Sequence, residues 1–143
     1  MAMVHFGVFE DFKGWTTLLV WGDGAGMAEL AALFRHMADG STSTVQFEDL
    51  PWTHSVQGTQ LRMSVVSPDS EGEELSQIGD KWLVEWRGLT EQFADSADVV
   101  EVRAPEQCTA GHQYLNTRTF QFMVSKGEYP PDFPNTPFQL AGE

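Results

Sequence analysis

The chain has 143 residues, within the ordinary range of one domain, and 8 Lys and Arg against 21 Asp and Glu give it a formal charge of −13. With 41% apolar and 20% charged residues it is composed neither as a disordered acidic tail nor as a membrane protein, and its ten Phe, five Trp and two Tyr can furnish a dense core. Eight scattered basic residues make no phosphate-neutralising face, which excludes a nucleic-acid partner, and one cysteine makes neither an internal disulfide nor a thiolate-rich zinc site.

The N-terminus, MAMVHFGVFEDF, lacks a basic segment, and Glu10 and Asp11 break its apolar run, so it does not read as a signal peptide. No stretch reaches the roughly 18–20 apolar residues of a spanning helix. With the lone Cys108, these features lead us to expect a cytoplasmic protein that makes no membrane contact.

Residues 3–9 (MVHFGVF) and 15–21 (WTTLLVW) are rich in β-formers and flank EDFKG, which predicts an antiparallel hairpin. Met27, Leu30, Ala31, Phe34 and Met37 then fall on one stripe of a helix that Gly40 ends. Residues 44–50 (TVQFEDL) predict a strand stopped by Pro51, and 59–66 (TQLRMSVV) a half-buried strand with one wet face. SPDSEGEELSQ, with Asp69, Glu71, Glu73 and Glu74, reads as a solvated loop. GDKWLVEWRGLTEQFADSA fits a strand over five residues and a helix over twelve. Length favours the helix, N-capped by Asp80, although Gly88 in its middle costs about 1 kcal/mol.

Residues 99–102 predict a short strand, and 117–124 (TRTFQFMV) a longer one with Phe120, Phe122 and Val124 on one face. The tail, 129–143, carries Pro130, Pro131, Pro134 and Pro137 and is expected to be extended, docked at most through Phe133 and Phe138. Residues 1–143 thus read as one α+β domain ordered β-β-α-β-β-α-β. A mainly antiparallel sheet with two amphipathic helices on one face is the economical arrangement.

No motif carries recognisable chemistry. The turn Gly22-Asp23-Gly24-Ala25-Gly26 resembles a phosphate cradle, but GxGxxG fails at Met27 in one frame and at Glu29 in the other, and Asp23 repels an anion. His5, His36, His54 and His112 lack metal-ligand spacing, and the calcium-like rhythm from Asp69 to Asp80 lacks the required glycine at Glu74. Neither a metal nor a cofactor is expected. Cys108 and His112 are a minimal thiol–imidazole pair that Glu106 or Glu128 could orient, without the local signature of a cysteine enzyme, so no catalytic residue is assigned. Candidate binding residues are Trp52 and His54 in the turn PWTHS, where a ring is often exposed, and His112, Tyr114, Glu128 and Tyr129 around the last strand.

In composition the chain resembles the small acidic α+β proteins that bacteria keep as immunity partners to toxins. The resemblance implies a protein partner and transfers no residue. The surplus of carboxylates leads to the same expectation: a non-enzymatic interaction protein, monomer or homodimer, that binds a basic protein. The alternative is a small-ligand-binding protein or enzyme with a site near His112, Tyr114 and Glu128.

Overall fold

The computed structural model describes residues 3–12, 14–105, 111–115, 117–129 and 133. Strands β1 (Val4–Phe12) and β2 (Trp15–Gly22) form the hairpin, and helix α1 (Gly24–Ala38) follows. Next come β3 (Thr44–Gln46), a 3₁₀ turn (Phe47–Asp49), β4 (Thr53–Ser55) and β5 (Gln60–Val65). After a second 3₁₀ turn (Pro68–Ser70) come β6 (Gly72–Ile78), β7 (Lys81–Gly88) and helix α2 (Thr90–Glu101). β8 (Gly111–Leu115) and β9 (Gln121–Lys126) complete the order.

The fold is α+β, and its sheets are mixed. One runs β4-β1-β2-β9-β8, the other β3-β5-β7-β6. Four pairs are antiparallel, and β1–β4, β2–β9 and β5–β7 are parallel. Short connections predict antiparallel neighbours only, so an argument from connection length misses the parallel pairs. The clearest case is Thr17 beside Gln121, 104 residues apart in the chain.

α1 forms where its apolar stripe falls. Met27, Leu30, Ala31, Phe34 and Met37 are all buried, and Gly40 stands past the helix end at φ +85°. Asp23 caps the start, its Oδ1 accepting the Gly26 N–H at 2.6 Å. The glycines of this turn have a steric reason. A Cβ on Gly22 or Gly26 would lie 2.5 or 2.7 Å from the Met3 carbonyl oxygen, so they let the start of β1 approach the helix closely.

The single helix expected from Asp80 onward is instead a strand followed by a helix. Gly79 (φ +64°) and Asp80 form the two-residue turn of the β6–β7 hairpin. β7 is an inner strand, bonded on both sides, because β6 replaces the solvated loop expected for SPDSEGEELSQ. With both ladders made, the short alternation Val84–Trp86 outweighs the longer helical period. α2 starts after Leu89, whose N–H donates to Gln92 Oε1 at 2.6 Å, and Asp80 caps nothing.

The short strand expected at 99–102 is absorbed into the end of α2 and its following turn, since Phe93, Ala97 and Val100 form a buried helical stripe. Residues 44–50 stay extended only to Gln46, and the strand expected at 117–124 begins at Gln121. Of the expected tail, only Tyr129 and Phe133 lie within the described residues.

The main core lies between the two sheets and the helices. Val4, Phe6, Val8, Leu18, Val20, Phe122 and Val124 from the five-stranded sheet meet Leu61, Met63, Val84 and Trp86 from the four-stranded one. Trp86 is the junction, with ring centroids 4.7 Å from Phe93, 5.5 Å from Phe122 and 5.9 Å from Phe34. A smaller aromatic cluster (Phe12, Leu19, Trp21, Met123 and Tyr129) covers the opposite, outer face of the five-stranded sheet.

Candidate functional site

Strand register assembles the polar part of that outer face. His54 pairs with His5, His5 with Trp21, Trp21 with Ser125, and Ser125 with His112. Cross-strand partners point to the same side, so these residues make one row across all five strands. Tyr114, two residues from His112, shares its face. The row has two chemically distinct ends. Three strand spacings of about 4.8 Å each put His5 and His112 about 14 Å apart.

At the β8 end, both Glu128 carboxylate oxygens lie within reach of His112 Nδ1, at 3.0 and 3.1 Å. Ser125 Oγ donates to Glu128 Oε1 at 2.6 Å. Tyr114 stands edge-on to His112 at 5.4 Å. The carboxylate is therefore central, holding a hydroxyl on one side and an imidazole on the other. A serine nucleophile needs its hydroxyl on the imidazole, and here the serine proton is committed to the carboxylate. The trio instead fixes the His112 ring with Nδ1–H as donor, leaving Nε2 as the acceptor of the neutral ring.

At the β4 end, His5 stacks on Trp21 (5.4 Å, 25°) and meets His54 edge-on (5.4 Å, 72°). Its Nδ1 is buried and has no hydrogen-bond partner among the described residues. Burial lowers the His5 pKa, the neighbouring His54 lowers it further, and Asp23 acts the other way. His5, Trp21, Asp23, Met3, Gly22, Gly127 and Tyr129 line a cavity of about 370 Å³ between this end and the turn that carries Glu128.

The acidic residues have a focus of their own. α2 carries four carboxylates and no base, and Glu91, Asp95, Asp98 and Glu101 are all exposed. Arg35 of α1 bonds Asp98 at 2.9 Å and also Glu101, while among the described residues Glu91 and Asp95 make no ion pair. Elsewhere Arg87 pairs with Glu74 and Glu85, and Arg118 with Glu71, so these arginines are already neutralised locally.

Of the residues singled out in the sequence, His54, His112, Tyr114, Glu128 and Tyr129 lie on or over this one sheet face. Trp52 does not. Its ring is half-buried, edge-on to Phe47 at 5.5 Å on the core side, because the turn after Pro51 folds inward rather than out. Cys108 and Glu106 lie outside the described residues, and Glu128 is the carboxylate beside His112. The sequence reading does not join His5, Trp21, Asp23 and Ser125 into one site, since pairing between distant strands brings this face together.

Among the described residues, no group of three His, Cys, Asp or Glu could hold a metal ion. No helix among them is long and apolar enough to cross a membrane. No protein-family model matches the chain, and neither a curated protein nor a solved structure is significantly similar to it.

Proposed function

We propose that this is a non-enzymatic acidic interaction protein, acting in the cytoplasm, that docks a basic protein partner through the exposed side of α2. The observation that carries the reading is the line Glu91, Asp95, Asp98 and Glu101 on a helix without one Lys or Arg. Set in a chain of net charge −13, such a line steers a cationic surface and orients its approach. Neutralising a basic toxin by covering its cationic surface is one concrete form of this activity. The Ser125–Glu128–His112 wiring supports a binding role over a catalytic one, because it activates no serine nucleophile.

The test is affinity capture from the native host at low salt, followed by a salt step. The immobilised protein is expected to retain a basic protein that the salt releases, and Glu91→Gln/Asp95→Asn to retain about tenfold less. An empty salt eluate, or equal retention by the double variant, removes the reading.

A further inference from the structure

We propose that the cavity between Trp21 and Tyr129 binds a small aromatic amine, its ring beside His5 and Tyr129 and its ammonium group at Asp23. The site is separate from the acidic side of α2 and stands or falls independently of it.

Size comes first: about 370 Å³ lies within the range of about 300–1,000 Å³ typical of small-molecule sites. The lining is chiefly apolar and aromatic, supplied by Met3, Trp21 and Tyr129, with two polar side chains converging on it, His5 and Asp23. One apolar body plus a few placed polar groups is the usual make-up of a ligand site. His5 brings its ring to the wall, while its Nδ1 is buried away from the cavity and takes no part in the contact.

Charge decides the rest. Asp23 is the only carboxylate among the described lining residues, and no Lys or Arg is among them. The nearby Lys126 turns its ammonium to the Pro105 carbonyl at 2.7 Å. The N-terminus of α1 contributes roughly half a positive charge, less than the full negative charge of the carboxylate that caps it. Among the described lining residues the balance is negative, and aromatic ring faces attract a cation further. An anion is disfavoured both here and by the net charge of the chain. An aromatic ring joined by a short chain to an ammonium group satisfies each of these conditions.

Three probes sharing one ring separate the contributions: tryptamine (cation), indole (neutral) and indole-3-acetate (anion), titrated while backbone amide and imidazole NMR signals are followed. The expected result is shifts at Met3, His5, Trp21 and Gly127, with tryptamine bound at least about tenfold more tightly than indole-3-acetate. Asp23→Asn keeps a capping acceptor for α1 and removes the charge, and is expected to erase tryptamine's advantage over indole. The proposal is overturned if no probe at about millimolar concentration shifts the lining residues. It is equally overturned if Asp23→Asn keeps the full preference, because the net charge of the chain then explains it.

Discussion

Gly88→Ala distinguishes two physical readings of the same segment by the sign of its effect. In a helix running on from Asp80, replacing a mid-helix glycine by alanine stabilises by about 1 kcal/mol. In the observed strand, the new methyl group would lie 2.9 Å from Phe93 Cε2, 3.1 Å from Phe93 Cζ and 3.2 Å from Gln92 Oε1. None of these neighbours yields easily. The Phe93 ring is fully buried between Trp86 (4.7 Å) and Phe34 (6.1 Å), and Gln92 Oε1 caps the start of α2. Overpacking at such a point costs about 1–3 kcal/mol. With a urea m-value of about 2 kcal/mol/M, the unfolding midpoint should fall by roughly 0.5–1.5 M at unchanged m. A midpoint that stays or rises refutes the packing argument and returns residues 81–88 to the helical alternative.

Two further outcomes follow from the turn before α1 and the row above it. Asp23→Ala removes the acceptor of the Gly26 N–H and should cost about 1 kcal/mol in urea unfolding, whereas Asp23→Asn should stay within a few tenths; equal losses would assign the effect to charge instead of capping. The second outcome concerns pH. The His5 pKa is lowered in the folded state, chiefly by burial and then by His54, with Asp23 opposing. Near neutrality and above, the ring is uncharged both folded and unfolded. As pH falls through 6.5, the unfolded chain takes up the proton first, so stability drops until the folded-state pKa is passed. His5→Phe lacks this contribution, and unfolding free energies measured from pH 7.5 downward should move in its favour relative to the wild type. A constant difference between the two proteins would show that His5 is not proton-linked to folding.

Local pattern was enough to read some elements and not others, for a physical reason. α1 was legible because its buried stripe, its glycine stop and its capping Asp23 all lie within about twenty residues and agree. The β1–β2 hairpin was legible because its partner strands adjoin in sequence. β7 was not. Trp82, Val84 and Trp86 alternate for too few residues to outweigh the helical period by themselves. What fixes them as a strand is hydrogen bonding to β5 on one side and β6 on the other, and β6 is an acidic edge strand whose Glu73, Glu74 and exposed Ile78 look like solvated loop. Charge on an edge strand protects it from further pairing, so the feature that hides β6 in the sequence suits its position in the sheet.

The polar row has the same origin. Within each strand the alternation already puts His112 with Tyr114, and His5 with Phe9, on one side. Nothing local says that residues 5, 21, 54, 112 and 125 lie in one line, because that depends on register across two parallel and two antiparallel pairs. Register, in turn, is enforced from the other side of the sheet. Leu115 opposite Phe122 and Val4 opposite Gly22 are inner-face positions, and a one-residue slip of β8 would turn Leu115 to solvent and bury His112 and Tyr114. Burying the Glu128-paired imidazole while exposing a leucine is unfavourable on both counts. The apolar core therefore sets the geometry of the row that faces away from it.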